Sequence, residues 1–184
     1  MGRVVAARRN ASSRVALLVV CVVAGCASNL ERTSTGFRHR EHGYSIGVPN
    51  GAGPAWTETE VEGAWIAFRR PGRETIALQS RCGRPVAAAA VMARNLVVGV
   101  GERELLQAGP VVVGGSNGWL QTFDIAADGA LARVTTVTAV IEDCTFDWTL
   151  VTKGEPLETR EAFDTWWATF ELDPDFYARV ERRR

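Results

Sequence analysis

Cys26 is the residue whose neighbours point most directly to chemistry, because it closes the run Val23-Ala24-Gly25-Cys26. Four arginines precede this run, and residues 15–24 are apolar. A basic segment, a short apolar segment and small residues before a cut site together indicate an export signal. A membrane-spanning helix needs about twenty apolar residues, so we expect residues 1–25 to be removed rather than to span a bilayer.

The four residues that end at Cys26 resemble the lipobox of bacterial lipoproteins. This resemblance implies that the Cys26 thiol receives a diacylglyceryl group and that Cys26 becomes the acylated first residue after cleavage. Two or three acyl chains anchor a protein stably, since each buried CH₂ contributes about 0.8 kcal/mol. Ala27 and Ser28 follow, without the aspartate that favours retention in the inner membrane. We therefore expect anchoring to the outer membrane, facing the periplasm, in a cell with two membranes.

The two histidines, His39 and His42, are candidates for a metal site but lack companions. Zinc needs three or four ligands in a fixed geometry, and no third ligand stands at a recognisable spacing. Glu142, Asp143 and Asp147 cluster without the Asp-x-Asp-x-Asp-Gly pattern of a calcium loop. We therefore predict no metal, with both histidines in a solvated linker and the acidic residues at a solvated turn.

Ser116 is the serine whose glycine-rich surroundings suggest a nucleophile. The run 114–118 has the letters Gly-x-Ser-x-Gly, but it lies between two predicted strands and so lacks the strand-to-helix turn of a nucleophile elbow; hairpin turn chemistry accounts for its glycines. We therefore predict no catalytic residue and no cofactor. A hydrolase would require a cleft in which His39 or His42 meets Ser116 or an acid.

Trp56 is the residue that we predict to contact a small ligand, should one bind. Six tryptophans are present, and stacking on sugars or lipids is a common use of this side chain. Four of them follow the apolar period of a predicted strand or helix and are predicted core residues: Trp119, Trp148, Trp166 and Trp167. Trp56 lies outside any such period, in the loop after Pro49.

The bulk composition excludes one class of partner. Once residues 1–25 are set aside, acidic side chains exceed basic ones by four, whereas a nucleic-acid-binding protein needs a basic face. The remaining chain is long enough for one domain that buries about 70% of its unfolded surface. We predict a single domain and no nucleic-acid partner.

The predicted domain spans residues 42–173, between a lipidated tether at 26–41 and a basic C-terminal tail at 174–184. Predicted strands, forming two antiparallel meanders, cover 44–48, 64–68, 74–82, 104–113, 119–125, 131–141 and 145–152. Predicted helices cover 85–98 and 159–172. Predicted hairpin turns lie at Asn117-Gly118 and Asp128-Gly129, because a type I′ turn favours residues that tolerate positive φ.

This order of elements resembles that of PsbP-like domains, including DcrB-type bacterial lipoproteins. The resemblance lies in the order of elements over residues 44–172, and two packing motifs accompany it: Tyr44-Ser-Ile46-Gly-Val48-Pro49 and Phe163-x-x-Trp166. It implies an α/β (α+β) fold, in which a largely antiparallel sheet of six or seven strands is covered by two helices as an α/β/α sandwich. It also implies a role in assisting larger complexes, and it carries over no catalytic residue.

Cys82 and Cys144 are the cysteines that remain when Cys21 leaves with the signal segment and Cys26 is lipidated. An even pair in an exported chain favours a disulfide. Cys82 ends one predicted strand and Cys144 precedes another, and the PsbP-like resemblance allows these strands to be antiparallel neighbours. We therefore predict a Cys82–Cys144 disulfide, the alternative being two buried free thiols.

The function predicted from these features is that of a membrane-anchored cell-envelope lipoprotein with a non-catalytic binding or accessory role. Its partners are then the lipid bilayer, reached through Cys26, and an envelope protein. The second hypothesis is a lipoprotein that binds a small ligand near Trp56. The third is an envelope hydrolase.

Overall fold

The computed structural model describes residues 29–72, 74–83, 86–98, 102–127, 130–154, 157–175 and 178. Within them lie two antiparallel sheets and two helices, which confirms the predicted α+β class. The strands are β1 (Leu30–Arg32), β2 (Gly36–His39), β3 (Tyr44–Gly47), β4 (Thr57–Glu58), β5 (Ile66–Arg69), β6 (Thr75–Cys82), β7 (Glu102–Val113), β8 (Ser116–Ala127), β9 (Ala130–Ile141), β10 (Cys144–Thr152) and β11 (Glu171–Leu172). The helices are α1 (Ala89–Leu96) and α2 (Leu157–Ala168).

The larger sheet has seven strands in the order β4-β5-β6-β10-β9-β8-β7, and neighbouring strands are antiparallel. Gly114 and Gly115 connect β7 to β8 with φ angles of 54° and 79°, which glycine adopts without steric cost. The predicted turn at Asn117-Gly118 is therefore wrong. The glycine pair reverses the chain first and leaves both of these residues inside β8.

The predicted second meander is confirmed, because β7, β8, β9 and β10 follow one another along the chain and pair in turn. Glu142 adopts a φ of 55° in the turn between β9 and β10, where Ile141 pairs with Cys144. The turn predicted at Asp128-Gly129 falls outside the described residues.

A smaller sheet of four strands, in the order β1-β2-β3-β11, corrects the prediction of a tether at 26–41. Residues 30–39 form β1 and β2, and Phe37 and His39 are buried on either side of the exposed Arg38. The sequence did not predict this strand, because most residues around Phe37 are polar and the period-2 alternation involves few apolar side chains. The strand predicted at 44–48 also changes place: β3 pairs with β2 and β11 rather than with the first meander.

Apolar side chains of both sheets and α2 form one core. Phe163 and Trp166 of α2 are fully buried and Phe170, just beyond it, is nearly so, which confirms Trp166 as a core residue. Trp119 and Trp167, also predicted as core residues, are only partly buried. The helix ends at Ala168 rather than at 172, because Glu171–Leu172 becomes β11 and completes the smaller sheet beside β3.

Helix α1 covers the other face of the seven-stranded sheet, against β8, β9 and β10. It spans eight residues within the range predicted at 85–98, and its Ala93 is fully buried. Gln121 Nε2 of β8 donates a hydrogen bond of 2.6 Å to the carbonyl of Ala93. A helix of this length spans about 12 Å, so it covers only part of the sheet.

Candidate functional site

Cys26 and the whole predicted signal segment, residues 1–25, fall outside the described residues. In the described part of the chain, no helix is both long enough and apolar enough to cross a membrane. The first described residue is Asn29, whose carbonyl accepts a hydrogen bond of 2.9 Å from the backbone N–H of Arg40.

Cys82 and Cys144 lie directly opposite each other on β6 and β10, with their Cα atoms 4.0 Å apart. The sulfur atoms are 2.01 Å apart, so the pair has the geometry of a disulfide. The prediction that β6 and the strand after Cys144 are antiparallel neighbours is thus confirmed. The sequence could suggest this pairing because both cysteines continue the apolar alternation of their strands.

Trp56 lies beside the core rather than in an open loop, since its ring packs against the buried cluster. The guanidinium of Arg70 lies over this ring, with its carbon 4.4 Å from the ring centroid. Arg70 is buried, and its Nη2 donates a hydrogen bond of 2.9 Å to the carbonyl of Ala52. One face of the indole is therefore occupied by a cation–π contact within the chain.

His39 and His42 are buried, which overturns the prediction that they lie in a solvated linker. Their rings stack with centroids 4.3 Å apart. The ring of Trp65 contacts His39 in a T-shaped arrangement, also with centroids 4.3 Å apart. The backbone N–H of His42 donates to Nδ1 of His39 over 3.1 Å. The polar residue types of 38–42 gave no indication of burial, because a histidine is as compatible with a solvated linker as with a core.

Ser80 of β6 completes this cluster, with its Oγ 2.6 Å from Nδ1 of His42. Burial lowers the pKa of both histidines, to about 4 for His39, where the neighbouring His42 adds to the effect. Burial also raises the pKa of the Tyr44 hydroxyl, whose ring stacks on His39. At neutral pH His39 is therefore uncharged, and burial favours the neutral form of His42 as well, against the opposing charge of Glu41.

The serine of this serine–histidine pair lies on the face of β6 that packs into the core. Ser80 is 3% exposed and pairs with Phe146 of β10, whose side chain is fully buried. Ser116, the serine of the glycine-rich run, is remote from this pair. The strand register aligns Ser80 of β6 with Gly118 of β8, three strand spacings or about 14 Å away, and Ser116 lies two residues from Gly118. The structure thus pairs a histidine with a serine that the sequence did not single out and keeps Ser116 apart from both histidines.

The acidic residues weighed as a calcium site divide between two environments. Glu142 and Asp143 occupy the β9–β10 turn, whereas Asp147 is buried within β10. Thr138 Oγ1 donates to one carboxylate oxygen of Asp147 over 2.8 Å, and Arg81 donates to the other over 3.1 Å. Among the described residues, no three metal-binding side chains converge.

A cleft of about 170 Å³ lies above Asp147, on the face of the sheet that α1 covers in part. Its floor is formed by β6 and β10, and its walls are Leu96, near the end of α1, and residues 61–64 of the β4–β5 connection. Burial raises the pKa of Asp147, although hydrogen bonds from Thr138 and Arg81 oppose the shift. The cleft therefore places a buried, incompletely compensated carboxyl group beside an opening.

Comparison with known proteins defines the fold. No protein-family model matches the chain, and no curated protein matches it. Cyanobacterial PsbP (CyanoP) from Synechocystis sp. PCC 6803 is similar in structure, with a TM-score of 0.54 and 19% identity over 84% of this chain and 98% of CyanoP. LpqN, involved in cell envelope biogenesis of Mycobacterium tuberculosis, has a TM-score of 0.52 and 17% identity over 71% of this chain and 83% of LpqN. The fold is therefore PsbP-like.

Proposed function

We propose that this protein is a lipid-anchored component of the cell envelope that assists an envelope complex without catalysis of its own. The observation that carries the proposal is a PsbP-like domain placed immediately after a lipobox-like run. LpqN, a structural neighbour, is involved in cell envelope biogenesis, which is compatible with such a role.

The position of Asn29 limits how far the domain can lie from the proposed anchor at Cys26. If Cys26 is the acylated first residue, only Ala27 and Ser28 lie between it and Asn29, the hydrogen-bonded start of the domain. The three Cα–Cα steps from Cys26 to Asn29 reach at most about 11 Å, whereas an unfolded tether of the predicted length would reach about 40 Å. The domain would then lie close to the bilayer, where a membrane-embedded partner is within reach.

The anchor is tested by replacing Cys26 with serine and labelling cells with palmitate. The parent chain should incorporate label, and Cys26→Ser should remain an unlipidated precursor of altered mobility. Ser28→Ala is the matched control, since it changes a nearby small residue but leaves the thiol. Labelling that persists in Cys26→Ser would contradict the proposal.

The short spacing is tested by inserting a flexible segment of twenty residues between Ser28 and Asn29. Lipidation should be unchanged because the run ending at Cys26 is intact. Cross-linking in intact cells should recover an envelope protein with the parent chain and recover less of it with the lengthened chain. Equal recovery would show that the close apposition has no role.

The absence of catalysis is tested on the purified chain with ester, peptide and glycoside substrates. The His42–Ser80 pair is the arrangement to challenge, so the variants are His42→Ala and Ser80→Ala, with Ser116→Ala as the remote control. Turnover that is lost in the first two and kept in the third would establish a hydrolase and refute the accessory role.

Ligand binding beside Trp56 stays a prediction. Because Arg70 already covers one face of the indole, a stacking ligand would have to use the other face. Quenching of tryptophan fluorescence by a sugar or lipid, abolished in Trp56→Phe and retained in Trp119→Phe, would support it.

A further inference from the structure

The cleft above Asp147 has a defined direction, because the strand register orders the residues of its floor. Asp147 of β10 pairs with Gln79 of β6 at one end, and Val151 pairs with Thr75 at the other. Thr149 and Ala77 form the pair between them. Four residues along a strand span about 13 Å, and over that length the floor changes from a carboxyl and an amide group to alanine, valine and threonine side chains.

The volume of the cleft suits a small molecule. About 170 Å³ is far more than a single water occupies, and it is less than a drug-sized ligand needs. Leu96 and Ala64 add apolar surface to the walls. A ligand with a short aliphatic chain and one polar end would match both the volume and the direction of the floor.

The charges around the cleft decide the sign of that polar end. Two carboxyl groups, those of Asp147 and Glu62, belong to the lining, and none of the described lining residues is basic. Asp147 is 2% exposed, so its carboxylate has lost most of its hydration. Its one basic partner, Arg81, has a side chain that is 47% exposed and shares its field with solvent. A cation entering the cleft would add to the partial compensation that Arg81 gives this carboxylate.

We propose that this cleft binds a small aliphatic cation, a primary alkylammonium, with its ammonium group at Asp147 and Gln79 and its chain along Ala77 towards Val151. The carboxylate and the Gln79 amide oxygen accept hydrogen bonds from the ammonium group, which is a donor only. An alkyl carboxylate of the same length would be repelled, and an alkanol would gain the apolar contact alone. This site does not depend on the membrane anchor, so each proposal can fail without the other.

The test uses three probes that share a four-carbon chain: butylammonium, butanol and butyrate. Calorimetric titrations are carried out on the full chain carrying Cys26→Ser, which cannot be lipidated by the proposed route. Butylammonium should bind about tenfold or more tightly than butanol near neutral pH, and butyrate should not bind. Equal affinity for butylammonium and butanol, or no binding of butylammonium, would overturn the proposal.

Two variants locate the site. Asp147→Asn should weaken butylammonium binding about tenfold and leave butanol binding unchanged. Glu161→Gln changes an exposed residue of α2, on the other side of the sheet, and should not affect the binding of either probe. Ala77→Met fills the floor but keeps the carboxylate, so it should weaken both probes and serves if Asp147→Asn fails to fold. Butylammonium binding that survives both variants would place the site elsewhere and refute the assignment.

Discussion

The two faces of the seven-stranded sheet bury different chemistry although alternate residues of the same strands build them. On the aromatic face, which packs on α2 and the smaller sheet, β10 contributes Phe146, Trp148 and Leu150. On the α1 face, the same strand contributes Asp147 and Thr149. The first face is closed by aromatic contacts from Tyr44 and Phe170, and the second is left partly open beyond Leu96.

This difference separates stability from recognition. Large apolar side chains that are nearly all fully buried pack together on the aromatic face, and their burial stabilises the fold. The α1 face instead buries Gln121, Thr136, Thr138 and Asp147, whose polar groups need partners. A face that keeps an incompletely compensated carboxyl group beside a cleft is suited to binding.

The largest effect is expected from breaking the aromatic face at Trp148. Trp148→Ala should lower the free energy of unfolding by about 4 kcal/mol, because it removes a fully buried ring that contacts Phe146 and Phe170. Thr149→Ala, the next residue on the opposite face, should cost less than about 1 kcal/mol. Urea unfolding of both variants measures the difference, and equal losses would contradict the contrast between the faces.

The Cys82–Cys144 pair should rank next. If the exported protein forms the predicted disulfide, it closes a loop with a sequence separation of 62 residues, and the bridge contributes about 4 kcal/mol in the chain-entropy model. The double variant Cys82→Ser with Cys144→Ser should lose up to that amount, and reductant should bring the parent chain to the same stability. Alkylation of both thiols without reductant would show that the bridge does not form.

Acidification should weaken the histidine cluster at the edge of the aromatic face. His39 keeps a pKa of about 4 when folded and has the ordinary 6.5 when unfolded, so the unfolded chain binds the proton first as the pH falls. Stability should therefore drop by about 3 kcal/mol between pH 7 and pH 4. Urea unfolding at both pH values should show a smaller drop in His39→Gln than in the parent chain, and an unchanged drop would contradict the assignment to His39.

The smallest effect on stability is expected on the α1 face, at Asp147. Its folded pKa is raised, so its contribution is present below the ordinary aspartate pKa and is lost as the pH rises through the folded value. The stability of Asp147→Asn should therefore rise relative to that of the parent chain as the pH rises. Unfolding of both chains at pH 3 and pH 7 measures this, and a relative loss for the Asn variant at pH 7 would be the contrary result.

Much of the secondary structure could be predicted from local patterns. The four long strands from β7 to β10 follow alternation and turn residues, and Phe163, Trp166 and Phe170 follow a helical stripe. The errors have two causes. Where two turn patterns lie close together, Gly114-Gly115 formed the turn in place of Asn117-Gly118. Where the residue types are polar, at 30–39, strand propensity did not indicate the strands that form there.

The sequence by itself determined the elements with strong alternation, the placement of one cysteine at the end of β6 and the other at the start of β10, and the expectation of a lipid at Cys26. Only the tertiary structure decided that His42 meets Ser80, 38 residues away, and that Asp147 faces a cleft rather than a solvated turn. The physical reason is that alternation and turn chemistry act between near neighbours along the chain. Strand register and the partial cover of the sheet by α1 bring distant residues together, and no short stretch of sequence contains that information.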